Sequence, residues 1–225
     1  MSKRTKSGPA PLSGDDLRRM FTAGRSSVES NVTTINALNV FPVPDGDTGT
    51  NMLLTLRAAD EELAGLAGAS AGRQAQAIAQ GTLMGARGNS GVILSQFFHG
   101  WAQGLQGTDT FGGKELAEAL SHGTDAAYKA VAKPVEGTIL TVIKEAARAA
   151  QAAVDAGEKG AREVWEQACR GARRALAETP DLLPVLKEAG VVDAGGLGLV
   201  ALMEGVRAYL SGEEVAPLDV AAGQA

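Results

Sequence analysis

Apolar residues recur along most of the chain at helical spacing. After Ser13, the residues Leu17, Phe21, Val28, Val32, Ile35 and Leu38 follow one another at intervals of three, four or their sums. Asp16, three residues beyond Ser13, completes a capping box, so the pattern predicts one long amphipathic helix. The next stretch, NVFPVPDGDTG from Asn39 to Gly49, carries two prolines and an Asp-Gly step and predicts a loop. Helical patterns resume over 50–66, 70–84, 90–105, 113–131, 138–154, 161–177 and 195–210, and strands have no obvious place. About eight helices joined by short Gly-containing connections predict an all-α fold, an antiparallel bundle around one core. Residues 1–12 are expected to form a disordered leader and 212–225 a flexible tail, with 13–211 as one domain free of repeats and interior linkers.

Composition narrows the function. The 225 residues include 21 Lys plus Arg against 26 Asp plus Glu, a net charge of −5 that excludes a general nucleic-acid binder. An anionic ligand must therefore be held by local features. Cys169 is the single cysteine, which excludes an internal disulfide and a zinc site built from several thiolates, and fits a reducing, cytoplasmic setting. It lies one turn from Trp165 and two from Leu176, the spacing of a core residue. The basic start MSKRTK is followed by no apolar segment of a secretory signal, and no apolar run is long enough for a transmembrane span. The unusual feature of the composition is glycine, at 29 residues, beside only 4% aromatics.

The glycines gather in loops that open helices: PDGDTGTNM (Pro44 to Met52), GARGNSG (Gly85 to Gly91), KPVEGT (Lys133 to Thr138) and VVDAGGLG (Val191 to Gly198). Each presents backbone N–H groups at the positive end of a helix, and Ser or Thr adds a donor without bulk. Any one such loop is explained by an ordinary turn and cap; several together point to phosphate. Asp45 and Asp47 can aim two carboxylates at one hard cation, and oxygen ligands without His or Cys suit Mg²⁺. An isolated Asp-Gly-Asp is more often an Asx turn. The Thr48-Gly49-Thr50-Asn51 continuation favours the metal. Gly196-Leu197-Gly198 matches a loose dinucleotide fingerprint, but no strand precedes it; P-loop and nucleophile-elbow motifs are absent, and His99 and His122 have no partner motif.

Taken in order, NVFPVPDGDTGTNM, GTLMGARGNSGV, KPVEGTIL and KEAGVVDAGGLGL resemble the N-terminal domain of the bacterial fatty acid kinase A subunit, a member of the DhaL superfamily. The resemblance covers roughly Ser13 to Leu210. It implies an antiparallel α-helical barrel that binds Mg·ATP at one end. Asp45 and Asp47 match the family's metal-binding aspartates, and Thr48, Gly49 and Asn51 its phosphate-contacting stretch. Asn89, Ser90 and Gly91 fall in the second phosphate loop, Thr138 starts a helix near the nucleotide, and Asp193 with Gly195 closes the site around base and ribose. The dihydroxyacetone kinase L subunits carry a third aspartate where this chain offers Asn39, an uncharged candidate ligand that leaves a second metal ion open.

The resemblance further implies phosphoryl transfer to a fatty acid held by a DegV-type fatty-acid-binding protein, giving an acyl phosphate and ADP. A carboxylate acceptor is already ionised and needs no general base. Arg87 is the candidate catalytic cation for the transferring group. The rival expectations are a dihydroxyacetone kinase L-type subunit and a nucleotide-binding regulatory module without turnover.

Overall fold

The computed structural model describes residues 10–214. Among these, ten helical segments and one two-residue strand pair run in the order β1 (Leu12–Ser13), α1 (Gly14–Ala37), α2 (Thr48–Arg57), α3 (Ala59–Leu63), α4 (Ala71–Met84), α5 (Gly88–Gly104), β2 (Thr110–Phe111), α6 (Gly113–Lys129), α7 (Ile139–Asp155), α8 (Ala161–Leu182), α9 (Pro184–Ala189) and α10 (Ala194–Ser211). Ser13 caps α1 through the expected box, its side chain bonded to the Asp16 N–H and the Asp16 carboxylate to the Ser13 N–H.

The helices close into a barrel. α1 packs on α4, α4 on α5, α5 on α6, α6 on α7, α7 on α8, α8 on α10, and α10 back on α1, with α2 lodged against α1, α4, α5 and α10. Inside, an aromatic row links three walls: Phe21 of α1 meets Phe98 edge-on at 5.5 Å, Phe98 stacks on Trp101 at 5.6 Å, and Trp101 on Trp165 of α8 at 6.2 Å. The Trp165 indole donates to the Met203 carbonyl at 3.0 Å, and the Cys169 thiol lies 3.6 Å from the same oxygen. Cys169 is fully buried, and burial pushes its thiol well above the ordinary range, as expected of a core residue.

Much of the glycine serves helix packing. A Cβ at Gly104 would meet the Ala119 backbone at 2.6 Å, and one at Gly171 the Glu145 carbonyl at 2.7 Å. With so few aromatics, the walls fill by close backbone approach instead.

Three boundaries depart from the pattern. The helix expected over 50–66 breaks at Ala58 into α2 and α3, where Gly81 of α4 presses on the backbone of Ala58 and Ala59. α8 continues to Leu182 through Pro180, whose missing N–H is replaced at the Leu176 carbonyl by the Thr179 hydroxyl at 2.7 Å. α9, with Pro184 at its start and Gly190 in the left-handed region at its end, has the signals of a short helix that the apolar period is too brief to show. A strand also appears where none was expected: Leu12 pairs with Phe111 and Ser13 with Thr110, antiparallel. Leu12 is therefore ordered, while 1–9 of the expected leader and 215–225 of the expected tail lie outside the described residues.

Candidate functional site

One end of the barrel gathers the starts of four helices. Thr48 begins α2, Asn89 and Ser90 lie in the first turn of α5, Thr138 caps α7, and Asp193 caps α10 with Gly195 following it. All six residues line one cleft of about 400 Å³, a volume ordinary for a small-molecule site. Apart from Lys133 of the α6–α7 loop, its remaining walls are apolar, among them Phe41 and Pro42 from the α1–α2 loop, Val92 and Ile93 from α5, Val131 and Val135 from the α6–α7 loop, and Ile139 and Leu140 from α7.

The four starts differ in how their free N–H groups are satisfied. α2 is capped from outside by two asparagines. Asn39 Oδ1 accepts from the Asp47 N–H (3.3 Å), the Thr48 N–H (3.2 Å) and the Thr48 hydroxyl (2.7 Å), and Nδ2 donates to the Val43 carbonyl at 2.9 Å. Asn36 Oδ1 accepts from the N–H groups of Gly49 (2.7 Å) and Thr50 (3.2 Å). Two expected site residues are thus engaged within the protein: the Asn39 oxygen, a candidate metal ligand by resemblance, already accepts three hydrogen bonds. Gly49 offers no amide to phosphate; it is pressed against α1, where a Cβ would meet the Val32 carbonyl at 2.8 Å.

α5 is the open start. Its cap residue Arg87 supplies no side-chain bond, and the N–H groups of Gly88, Asn89 and Ser90 donate to no acceptor among the described residues. The first amide used is that of Gly91, bonded to the Arg87 carbonyl at 3.1 Å. Gly91 is buried outside the cleft lining, facing α2 so closely that a Cβ would collide with the Thr55 hydroxyl. That hydroxyl holds the turn, donating to the Asn51 carbonyl at 2.8 Å and accepting from the Arg87 N–H at 3.2 Å. Asn51 itself packs under Gly88 and does not line the cleft. The Arg87 side chain is exposed, makes no ion pair among the described residues and also stands outside the cleft lining.

α7 and α10 share a cap. The Asp193 carboxylate accepts from the Gly196 N–H at 2.7 Å and from the Ile139 N–H, so one buried side chain ties two helix starts at the cleft wall. Burial pushes its carboxyl up to about 6, against the pull of these two donors. Thr179 receives the Asp193 N–H at 3.1 Å, and Thr138 receives the Leu140 N–H at 3.4 Å.

Asp45 and Asp47 sit on the loop between Pro42 and Thr48, two residues of the cleft wall, but do not themselves line the cleft; Asp45 is exposed and Asp47 half-buried. Neither carboxylate makes a hydrogen bond or ion pair among the described residues, and Asp47, though at the cap position, does not cap. No group of three or more His, Cys, Asp and Glu converges among the described residues, so the pair stands alone. Two free carboxylates two residues apart fit Mg²⁺, which keeps several waters and completes its shell with substrate phosphates. His99, bonded to Gln103 at 3.1 Å, and His122 are both exposed and lie outside the cleft.

Sequence reasoning missed the apolar walls and the asparagine caps. The FP and AVAKPV segments carried a signal for the walls, since apolar residues in a loop need a surface to cover. Nothing local marked Asn36 and Asn39 as caps, since the N–H groups they accept from lie eight to fourteen residues away.

The DAK2 domain matches residues 42–208 of the chain. Over 204 residues the chain is 47% identical to Protein YloV of Bacillus subtilis and 45% identical to an uncharacterized protein of Staphylococcus epidermidis. Each alignment takes in 91% of this chain and 37% of the relative, so the chain spans little more than a third of their length. Among solved structures, dihydroxyacetone kinase from C. freundii, in complex with AMP-PNP and Mg²⁺, aligns over 92% of this chain and 36% of that one with a TM-score of 0.59 at 19% identity, a likeness of fold. Among the described residues no helix is long and apolar enough to cross a membrane.

Proposed function

The chain belongs to the DAK2 domain family, and from that premise we propose that it is a Mg·ATP-binding phosphotransferase domain. Its acceptor is the carboxylate of a fatty acid presented by a DegV-type fatty-acid-binding protein. The observation that carries the reading is the meeting of four helix starts around one cleft, with two unengaged carboxylates on the loop that joins its wall residues Pro42 and Thr48. The dihydroxyacetone kinase of like fold was crystallised in complex with AMP-PNP and Mg²⁺, which supports a nucleotide and Mg²⁺ as the ligands.

The apolar walls from Val92, Val131, Val135 and Leu140 suit the base. The open N–H groups of Gly88, Asn89 and Ser90 sit where phosphate oxygens would gain charge during transfer. Asp45 and Asp47 would hold Mg²⁺, which when bound neutralises phosphate charge and orients the chain of phosphates. The acceptor carboxylate attacks the terminal phosphorus; the new bond is carboxyl oxygen to phosphorus, and the bond to the bridging oxygen of ADP breaks. No proton moves, which accords with a cleft whose single acid, Asp193, is spent on two backbone N–H groups. Asp193 and Thr138 hold the helix starts in place and are positioning residues.

Calorimetric titration of Mg·ATP into the wild type, Asp45→Asn and Asp47→Asn tests the site. Binding that requires Mg²⁺ and falls at least about tenfold in each variant is expected, since each variant removes one charged ligand. Metal-independent binding, or variants that bind like the wild type, would overturn the metal assignment. Labelled phosphate from ATP is then followed to fatty acid with its carrier and, separately, to dihydroxyacetone. Transfer to dihydroxyacetone alone would replace the acyl acceptor by the sugar, and binding without transfer to either would leave a nucleotide-binding module.

A further inference from the structure

We propose that Lys133 is the cation that receives the phosphate tail of the nucleotide, an inference that rests on the cleft being a nucleotide site. Lys133 is the sole Lys or Arg among the residues that line the cleft. Its ammonium makes no hydrogen bond or ion pair among the described residues, so its charge is free for a ligand. The single anion on the same walls, Asp193, is buried against helix starts and unable to reach out to it.

Helix register places Lys133 opposite the open amides. α5 and α6 run antiparallel in tight contact, Gly104 against Ala119, Gly100 against His122 and Phe97 against Gly123. Carried on to the beginning of α5, this register sets the turn that follows α6 across from Gly88 to Ser90. Asn89, Ser90 and Lys133 all line the one cleft. A phosphate group there would meet unpaired N–H donors on one side and an ammonium on the other.

The loop that carries Lys133 is anchored at its base and free at its tip. Glu136 accepts from the Tyr128 hydroxyl (3.1 Å), the Thr141 hydroxyl (2.6 Å) and the Lys144 ammonium (2.9 and 2.8 Å), tying the loop to α6 and α7. The hydroxyl of Thr141 in turn accepts from the Gly137 N–H at 2.8 Å. Gly137 has φ +80°, and a Cβ there would stand 2.8 Å from that of Leu183, so no other residue makes this turn without strain. Because Glu136 is already matched by Lys144, it does not neutralise Lys133. The anchored base fixes where the ammonium starts from, while its flexible stem lets it follow the phosphates.

The test compares Mg·ADP and adenosine binding by calorimetry in the wild type, Lys133→Gln, Lys133→Arg and the control Lys114→Gln, which removes a charge at the far end of α6. Thermal melts establish that all four are folded. Loss of one phosphate-bound ammonium predicts a fall in Mg·ADP affinity of about tenfold or more in Lys133→Gln. Adenosine affinity should stay at the wild-type value, Lys133→Arg should restore most of the loss, and Lys114→Gln should behave as wild type. An unchanged Mg·ADP affinity in Lys133→Gln, or an equal fall for adenosine, would overturn the assignment while leaving the nucleotide site standing. A wild type that binds neither ligand would remove the nucleotide reading and this inference with it.

Discussion

Replacing Asn39 by alanine tests the idea that this residue builds the start of α2. Asn39 is 7% exposed, and its amide oxygen serves three donors, two of them on buried Thr48. Truncation leaves those donors facing protein, since Cβ alone replaces neither the acceptor nor its volume. A lost cap costs about 1 kcal/mol, and a buried donor left unpaired roughly 1–3 kcal/mol, so the total comes to about 3 kcal/mol. For a chain of this length that corresponds to a melting temperature lower by about 6–12 °C. Asn39→Asp keeps the acceptor and adds a charge favourable to a helix start, while losing the 2.9 Å bond to Val43; it should stay within about 1 kcal/mol of wild type. Urea unfolding followed by far-UV circular dichroism measures both. An Asn39→Ala protein within about 0.5 kcal/mol of wild type, or an Asp variant as unstable as the Ala variant, would refute the reasoning, because only removal of the acceptor should matter.

Asp193 and Gly91 give two more predictions. A carboxyl held at about 6 rather than 3.8 favours the fold when protonated, so its stabilisation is full below 3.8 and is lost as pH rises through 6. The stability of wild type relative to Asp193→Asn should therefore rise by about 2 kcal/mol between pH 7 and pH 4, and a difference that stays flat in pH-resolved urea melts would show that burial of the charge is not what is felt. Gly91→Ala drives a methyl into the Thr55 hydroxyl that ties α2 to the α5 turn; about 1–3 kcal/mol of lost stability is expected together with weaker Mg·ATP binding. Wild-type affinity in that variant would mean that the α2–α5 contact does not set the cleft.

The helices, the α1 cap and the loop carrying Asp45 and Asp47 were legible in the sequence, because each is written within a turn or two of chain. Apolar residues three and four apart select a helix, Ser13 and Asp16 start it, and Pro42 and Pro44 forbid its continuation. The same local rules marked the glycine loops but could not tell which of them stay open. That depended on partners brought by the fold: Asn36 and Asn39 cover the amides of α2, Asp193 reaches from one helix start to another, and none of the described residues covers the first amides of α5. Tertiary structure likewise decided that Lys133, which the α6–α7 loop carries, lines the cleft while Arg87, next to the phosphate-type loop in sequence, does not. Secondary structure follows from neighbours a few residues apart, whereas a binding site is made by helix ends that only closure of the barrel brings face to face.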